Sequence, residues 1–429
     1  MKTREDIVRM IEEEDVEFIR LQYTDIFGNL RNIAVTPGEI DRVLSGKFSF
    51  DGNALFAGGY PYEDLLYLRP DTDSFVILPW RPQQGRVGKF ICDVCYEDGT
   101  PFEMDPREIL RKAVFQLKEA GYDCIIDPEC EFFLFHTDEN VNPTTLTHEQ
   151  AGYMAVGPID FGENARRDMV LALEEMGFEV VGSYHEKGPG QHEIDFRGSD
   201  AMSIADSVVN FKFAVRSVAK RFGLHATFMP KPIQNVSGSG MHLQVSLYRN
   251  GVNVFQSEDG SITDAARHFI GGVEAHAKAL CAITNPTVNS YKRLGAQGLE
   301  APRAVNWATR GENSFIKLLK NADRTKVELR FPDSSANPYL ALAVCLLAGL
   351  DGLENGISPS EEAVYPYDTG AALPISIEES VRALEADELV KKSLGNKFAE
   401  IYIAAKDREW REYLSQVTEW ELNRYLVKM

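Results

Sequence analysis

The stretch Asp127-Pro128-Glu129-Cys130-Glu131-Phe132-Phe133-Leu134-Phe135-His136 sets two carboxylates two residues apart inside an apolar run that favours a β-strand. Because side chains alternate along a strand, Glu129 and Glu131 are expected on the same face. Two like charges in such a run repel each other and are costly to bury, so the pattern indicates a cation opposite them, most economically a metal ion. The alternative is that both glutamates lie on the solvent face of an edge strand.

Composition limits the classes of protein that this chain can belong to. Its 429 residues are 44% hydrophobic and 26% charged, which is typical of a folded water-soluble protein with a sizeable core. No apolar run approaches the roughly 20 residues that span a bilayer, and the first residues lack the apolar core of a signal peptide. We therefore expect a cytoplasmic protein without a membrane partner.

Charge and cysteine content exclude further classes. The net charge of −20, with no basic stripe to neutralise phosphates, argues against a nucleic-acid partner. Six cysteines in so long a chain, mostly within apolar runs, indicate reduced core thiols. Cys92 and Cys95 form a CxxC pair, but a strand there would point the two sulfurs to opposite faces, which disfavours a redox or zinc site.

Two domains are expected, both of the α+β class. Residues 1–100 contain several short strand patterns after a first amphipathic helix, and they predict a small α+β domain. Asp105-Pro106 is typical of a helix start, so a larger α+β domain is predicted over 101–429. Within it, long helices are expected at 263–282, 376–390 and 397–427.

Three later segments carry polar side chains comparable to those of the first strand. Glu186 and Glu193 flank a tight Gly-Pro-Gly turn, which brings its two flanks together. His242 shares one strand face with Gln244 and Ser246 behind a glycine-rich entry, and Glu328 shares a face with Arg330. Each pattern alone also fits a solvated loop or a structural histidine. Together they predict a curved antiparallel sheet lined with charge, suited to a divalent metal, an anionic substrate and phosphate.

The ligand types indicate which metal and which chemistry fit best. Five carboxylates and one imidazole are hard donors that suit Mg²⁺ or Mn²⁺ better than zinc, copper or an iron–sulfur cluster. Mg²⁺ commonly binds substrate phosphates, so phosphoryl transfer from a nucleotide is the natural reaction. The sequence has no Walker-type loop, so metals and arginines would have to hold the phosphates.

A series of motifs in one fixed order identifies a family. The chain resembles type I glutamine synthetase, in its short form without an adenylylation segment, over essentially its whole length. The motifs that carry the resemblance are Phe50-Asp51-Gly52, Asp127–Phe133, Pro189–Phe196, Lys231-Pro232, Gly238–His242, Asn285–Leu294, Glu328-Leu329-Arg330 and Ser335–Tyr339.

The resemblance implies a fold, an assembly and a set of substrates. It implies a β-grasp N-terminal domain and a catalytic domain, assembled as a dodecamer of two hexameric rings with each active site between neighbouring subunits. It also implies two or three Mg²⁺ or Mn²⁺ ions per site and the substrates ATP, glutamate and ammonia or an amine.

By matching positions, the resemblance also implies residue roles. Glu131, Glu186 and Glu193 would bind one metal, and Glu129, His242 and Glu328 the metal that contacts the nucleotide phosphates. Asp51 of a neighbouring subunit would help to deprotonate ammonium, and Glu300 would lie on the flap that closes the glutamate site. The remaining implied roles are substrate binding by Gly238, Arg293 and Arg330, with Arg330 also catalytic, and nucleotide binding by Ser246, Lys317 and Lys326.

The chain departs from the family pattern around the substrates. Glu312 replaces an arginine near the transferred phosphate, with Arg310 as a possible catalytic substitute. The other departures are Lys317 and Lys326 for arginines, Ser237 for asparagine, Lys187 for an apolar residue, Tyr184 for histidine and an altered loop after Asp51.

The chain keeps every implied metal ligand of the family but alters residues around the substrates. Three hypotheses are consistent with this combination. The chain is a glutamine synthetase with a divergent site, a related γ-glutamyl ligase for another amine or acid, or a catalytically weak regulatory or scaffolding homologue. The intact ligand set argues against the third hypothesis, whereas Glu312 and Ser237 favour the second over the first. A new acid such as Glu312 could pair with a cationic substrate.

Overall fold

A computed structural model describes residues 2–57, 59–81, 84–147, 149–257, 259–295, 300–320 and 324–428. The first hundred residues form a six-stranded sheet in which strand β1 lies between β2, which is antiparallel to it, and β6, which is parallel. Its order is β2-β1-β6-β4-β3, with β5 paired to β6. The elements of this unit are α1 Arg4–Glu13, β1 Val16–Thr24, β2 Leu30–Val35, α2 Ile40–Leu44, β3 Phe48–Asp51, β4 Leu65–Pro70, β5 Val76–Ile77 and β6 Arg86–Cys95.

A nine-stranded sheet with most of the helices forms the larger unit. Its main path runs β14-β15-β16-β11-β7-β9-β8, with β10 paired to β7 and β12 to β11. The strands are β7 Asp123–His136, β8 Val180–His185, β9 Gln191–Phe196, β10 Leu224–Thr227, β11 Met241–Arg249, β12 Val252–Asn253, β13 Ala304–Val305, β14 Trp307–Ala308, β15 Ile316–Lys320, β16 Thr325–Leu329 and β17 Ala371–Ala372. The helices are α3 Pro106–Glu119, α4 Glu163–Glu175, α5 Ala201–Arg221, α6 Asp264–Ala275, α7 Ala277–Thr284, α8 Ser290–Arg293, α9 Pro338–Asn355, α10 Ile377–Ala386, α11 Glu388–Leu394, α12 Asn396–Leu414 and α13 Glu419–Tyr425.

The predicted antiparallel sheet is confirmed for the strands that carry the candidate ligands. β7, β9, β11 and β16 pair with one another in antiparallel register. The pair β14 and β15 at one edge is parallel, so the complete sheet is mixed.

A buried ion network joins the two units where the domain boundary is expected. Asp105 caps α3 by accepting from the amide of Arg107, and its other oxygen accepts from the amide of Val94 on β6 at 2.9 Å. The Arg107 guanidinium then bridges Asp71 at 2.5 Å, Asp93 at 2.5 Å and Asp206 at 2.8 Å. One buried cation with several carboxylate partners fixes α3 and α5 against the N-terminal sheet.

Each of the three long predicted helices is two helices, so these predictions are wrong in length. The helix expected at 263–282 breaks at His276, whose ring contacts Asp387 at 2.7 Å and Asp351 at 3.3 Å. The helix expected at 376–390 restarts at Asp387, whose side chain caps α11, and the helix expected at 397–427 ends at Leu414 before α13. Apolar periodicity continues through these breaks, so periodicity alone does not reveal them.

The prediction of reduced core cysteines is confirmed, because all six are buried free thiols. Cys92 and Cys95 both lie in strand β6. Within the described ranges, no helix is long and apolar enough to cross a bilayer.

Candidate active site

Strand register brings the predicted acids together. β7 pairs with β11 and β10 on one side and with β9 on the other, so the edge-strand alternative for Glu129 and Glu131 is wrong. Glu129 lies opposite His242, and Glu131 lies opposite Glu193. Farther along the sheet, Gln244 lies opposite Glu328. Residues separated by up to about two hundred positions therefore share one face.

The first cluster consists of Glu129, His242 and Glu328. Their donor atoms lie within 4.8 Å of one another, with His242 Nδ1 at 3.0 Å from Glu129 Oε2 and 3.6 Å from Glu328 Oε1. Burial, with the nearby Arg330 guanidinium, holds the pKa of His242 well below its usual range. A neutral imidazole between two carboxylates is a ligand set that fits a divalent cation.

The second cluster contains Glu131, Glu186 and Glu193. Glu131 Oε2 accepts from the Gly240 amide at 3.0 Å and from Gln191 Nε2 at 2.8 Å, whereas Glu193 Oε1 is buried without a partner among the described residues. Burial and the charge of Glu186 raise the pKa of Glu131 to about 8, and burial and the charge of Glu131 raise the pKa of Glu193 well above its usual range. Buried acids without a cation partner are costly, so the donor set fits a bound cation.

Divalent-metal affinity is expected to rise with pH up to about pH 8. The carboxyl of Glu131 has a pKa raised to about 8 and must lose its proton before it can bind a cation. Below that pH the proton competes with the metal, so affinity falls by up to about tenfold per pH unit for each proton displaced. Titration with Mn²⁺ at pH 6, 7 and 8, followed by electron paramagnetic resonance, measures this. An affinity independent of pH would contradict it.

Another group of side chains has potential metal-ligating atoms close together, but its hydrogen bonds show that these atoms are engaged with protons and not available to a metal. The group consists of Glu149, His185 and His192. His185 Nδ1 lies 2.6 Å from the Glu186 carbonyl and Nε2 lies 2.7 Å from Glu149 Oε1. Both acceptors require an N–H, so His185 is an imidazolium. Burial opposes this charge, but the bonds to Glu149 and Glu186 outweigh it and raise the pKa of His185.

His192 is excluded as a ligand by its tautomer. Arg166 Nη1 lies 2.8 Å from His192 Nδ1, and a guanidinium only donates, so Nδ1 accepts and Nε2 carries the hydrogen. His192 Nε2 is buried and has no hydrogen-bond partner among the described residues. Because this nitrogen carries a hydrogen, it has no free lone pair and cannot bind a metal. The group is therefore a structural support behind Glu186.

Basic side chains line the site beside the first cluster. Arg330 Nη1 contacts Glu328 Oε1 at 2.6 Å, and both side chains are buried. Arg293 is oriented by two carbonyl groups, those of Phe331 at 3.0 Å and Arg330 at 3.1 Å. These two guanidinium groups are well placed to hold an anionic group near the carboxylates.

Glu312, the acid that replaces an expected arginine, is neutralised within the chain. Its carboxylate contacts Lys317 Nζ at 2.7 Å and Arg330 Nη2 at 2.9 Å, and its carbonyl accepts from Arg330 Nε at 3.2 Å. These cations lower the pKa of Glu312 against the opposing effect of burial. The acid therefore has two cation partners already, which weakens the idea that it binds a cationic substrate.

The predicted nucleotide-side residues lie on β11, β15 and β16. Lys326 Nζ donates to Gln244 Oε1 at 2.7 Å and contacts Asp127 Oδ2 at 3.0 Å, and Gln244 in turn donates to Glu129. Ser246 is fully buried, with its hydroxyl 3.4 Å from the Thr325 carbonyl, so this side chain faces the interior.

Glu300 and Gly238 lie close to the second cluster. Glu300 forms an ion pair with Lys187, which directly follows the predicted ligand Glu186. The carbonyl of Gly238 accepts from Gln191 Nε2 at 3.2 Å, and a Cβ at this position would lie 2.2 Å from the Pro230 carbonyl oxygen, so only glycine fits.

Asp51 and Arg310 are not joined to the clusters by the described contacts. Asp51 ends β3 in the N-terminal sheet, is exposed, and accepts from the amide of Asn53 in its own turn. Arg310 is exposed, and no hydrogen bond or ion pair of its side chain is found in the described ranges. Their catalytic roles stay predictions.

Sequence reasoning missed the supporting residues. Glu149 lies in a segment without apolar periodicity, and nothing in its surroundings marks it as a partner of His185. Gln191, which connects Glu131 with Gly238, stands within the Gly-Gln-His-Glu motif, but the motif alone does not indicate this positioning role. Tyr153, whose ring faces Lys187, carries no local signal.

Comparison with protein-family models covers most of the chain. The model described as the glutamine synthetase catalytic domain matches residues 103–425. The model described as the glutamine synthetase beta-Grasp domain matches residues 15–97, which agrees with the expected small N-terminal domain.

Curated proteins and solved structures are similar over nearly the full length. A glutamine synthetase of Clostridium saccharobutylicum is 47% identical, and one of Thermus thermophilus is 42% identical, each over 99% of both chains. Two solved structures described as GmaS, one without ligand and one in complex with ADP, are 31% identical with TM-scores of 0.88 and 0.89. Each covers 98% of this chain and 99% of its own.

Proposed function

The chain belongs to the glutamine synthetase family, an ATP-dependent ligase family, and we propose that it joins ammonia to the γ-carboxylate of glutamate. The observation that carries the proposal is that five candidate ligands lie on one sheet beside Arg293 and Arg330, with a sixth directly after β8: Glu129, Glu131, Glu193, His242 and Glu328, and then Glu186. Full-length similarity to enzymes named glutamine synthetase supports the choice of reaction.

We propose that the two clusters hold divalent metal ions, with Mg²⁺ or Mn²⁺ as the ions that best fit carboxylate and imidazole donors. When bound, such ions neutralise charge on the transferring phosphoryl group. Glu129, His242 and Glu328 would hold the ion nearest the nucleotide, and Glu131, Glu186 and Glu193 the other. The orphan oxygen of Glu193 supports this assignment, because a cation would give it a partner.

In the proposed reaction, a γ-carboxylate oxygen of glutamate attacks the γ-phosphorus of ATP and ADP leaves. Ammonia then attacks the acyl carbon of γ-glutamyl phosphate, and inorganic phosphate leaves with the former carboxylate oxygen. Arg330 and Arg293 would orient the carboxylate and stabilise negative charge as it develops on the phosphoryl oxygens. Lys317 and Lys326 lie on the adjacent strands and would add positive charge on the nucleotide side.

The activity test is ATP-dependent phosphate release by the purified protein with Mg²⁺ and glutamate, with and without ammonium. We expect release that depends on both glutamate and ammonium and that yields glutamine. Omitting glutamate is the control for simple ATP hydrolysis. Release that ammonium does not stimulate would contradict the proposed reaction.

A γ-glutamyl ligase that uses another amine is the second candidate. The altered residues Lys187 and Ser237 near the site favour it. The same assay with methylamine, ethylamine and a diamine separates the two candidates. Turnover with an organic amine and none with ammonium would establish the second.

We propose that the active site is completed by a neighbouring subunit. Asp51 lies on the N-terminal sheet without a described contact to the carboxylate clusters, so its predicted role requires it to come from another copy. A ring-shaped homo-oligomer, a dodecamer in the arrangement that the resemblance implies, would supply it. Sedimentation velocity measures the assembly, and a purely monomeric active protein would contradict this proposal.

We also propose a domain boundary near residue 101, and a cytoplasmic location in which ATP and glutamate are available. The two family matches, at 15–97 and 103–425, support the boundary. Limited proteolysis with mass spectrometry checks it, and cell fractionation checks the location.

A further inference from the structure

Lys187 places a positive charge at the second carboxylate cluster. Its Nζ forms an ion pair with Glu300 and lies 5.5 Å from the centre of the Tyr153 ring, a cation–π distance. Its backbone amide donates to Glu186 Oε2 at 3.1 Å, so the lysine is anchored directly beside a predicted metal ligand. The side chains of Lys187 and Glu300 are 43% and 31% exposed, so this ion pair is open to exchange with solutes.

Negative charge and an aromatic face surround the Lys187 ammonium. Glu186, Glu300 and Glu312 act on it with negative charge, and the face of Tyr153 lies on another side. These partners outweigh the cost of burial and raise the pKa of Lys187. Tyr153 is held by an edge contact with Tyr184, at 6.0 Å between ring centres. An ammonium or alkylammonium ion offers the same charge and N–H donors as the lysine.

We propose that Lys187 is a tethered competitor for the amine substrate: its ammonium occupies the position beside Glu300 and Tyr153 that the substrate cation must take, and this competition sets the amine specificity of the enzyme. The role as competitor rests on the proposed ligase function. An incoming ammonium ion must displace the Lys187 ammonium from Glu300 and Tyr153 before the amine can be deprotonated. Glu312 belongs to a different set of contacts, because Lys317 and Arg330 neutralise it.

The tether gives the competition a predictable size. A group on a short flexible tether acts at an effective concentration in the millimolar range. Such a competitor raises the half-saturating ammonium concentration by one plus the ratio of its effective concentration to its own dissociation constant. Removal of its charge is therefore expected to lower that concentration by about three- to tenfold, which corresponds to a ratio of about two to nine. The effect should be of similar size for ammonium and methylamine, because Lys187→Met removes the charge but little of the side-chain volume.

The experiment compares wild type with Lys187→Met, which keeps most of the length of the side chain but removes the charge, and with Lys187→Arg, which keeps the charge. The matched control is Lys278→Met, because Lys278 forms a similarly exposed ion pair with Glu379, with side chains 45% and 40% exposed. Two readouts are taken: the half-saturating ammonium and methylamine concentrations in turnover, and methylammonium binding without turnover by saturation-transfer NMR with ADP and Mg²⁺.

We expect tighter methylammonium binding and lower half-saturation in Lys187→Met, with Lys187→Arg and Lys278→Met close to wild type. Equal methylammonium binding by wild type and Lys187→Met overturns the proposal, even in an active enzyme. Weaker binding in Lys187→Met also overturns it, because the lysine would then help to hold the amine. Tighter binding without turnover of any amine supports the competition for this cation position and contradicts the ligase function, so the two failures are distinguishable.

Discussion

Replacing Glu129 by glutamine is expected to lower ATP-dependent phosphate release by about 10²- to 10³-fold. Glu129 contacts His242 at 3.0 Å and accepts from Gln244, so it connects the first ligand cluster with the predicted nucleotide side. The amide has nearly the same shape, but it removes one of the two carboxylate charges around His242. Because phosphoryl transfer depends on charge neutralisation at the phosphate oxygens, the rate should fall more than substrate binding does.

The substitution should leave the fold intact. Burial raises the pKa of Glu129, so the charged form of this carboxylate is costly in the absence of a cation. A neutral glutamine should therefore fold with unchanged or slightly higher thermal stability, which differential scanning calorimetry measures without added metal. Glu179→Gln is the matched control, since Glu179 is an exposed glutamate that pairs with Arg197 at 2.6 Å. Retention of more than a tenth of the activity by Glu129→Gln would contradict the assignment.

The sequence predicts the acids of the site because a strand has a simple period. Glu129 and Glu131 follow the period of two along β7, and Glu186 and Glu193 flank a turn whose geometry glycine and proline determine. Which strand lies beside which is a long-range property. Local patterns predict a common charged sheet but not the pairing of Glu129 with His242, and only the resemblance to a known family assigned these two residues to one metal.

The features that sequence reasoning missed depend on contacts between distant residues. The break at His276 is stabilised by Asp351 and Asp387, which lie 75 and 111 positions away. Taken alone, the replacement of an expected arginine by Glu312 suggests a loss of positive charge at the site. In the structure, Lys317 and Arg330 neutralise the charge of Glu312. A single position in a sequence shows a change of charge, but not the partners that neutralise it.

Replacing Glu149 by alanine is expected to lower the free energy of unfolding by about 3–5 kcal/mol, the range for breaking a buried ion pair from one side. Glu149 and His185 are 3% and 0% exposed at their side chains and lie 2.7 Å apart. The same carboxylate also accepts from the amides of Gly190 at 2.5 Å and Phe161 at 2.8 Å. Its loss would leave a buried imidazolium, the buried amide of Gly190 and the partly buried amide of Phe161 without their acceptor.

Denaturant-induced unfolding measures this change. The dependence of the unfolding free energy on denaturant concentration should be the same for the variant and wild type. The control is Glu378→Ala, which removes an exposed helical ion pair with Arg382 and should cost no more than about 0.5 kcal/mol. In the double variant Glu149→Gln with His185→Asn, the loss should be smaller than the sum of the two single losses, because no unpaired charge is left behind. A loss below about 1 kcal/mol in Glu149→Ala would show that the ion pair is not a structural support.

The same substitution should also weaken metal binding by the protein that remains folded. His185 Nδ1 donates to the Glu186 carbonyl at 2.6 Å, and Glu149 holds the Gly190 amide in the turn between Glu186 and Glu193. Loss of Glu149 therefore releases both flanks of the turn that carries two predicted ligands. Removal of such an outer support typically costs about 10- to 100-fold in metal affinity. Mn²⁺ titration well below the unfolding midpoint separates this loss from the loss of stability, and an unchanged affinity would confine the role of Glu149 to folding.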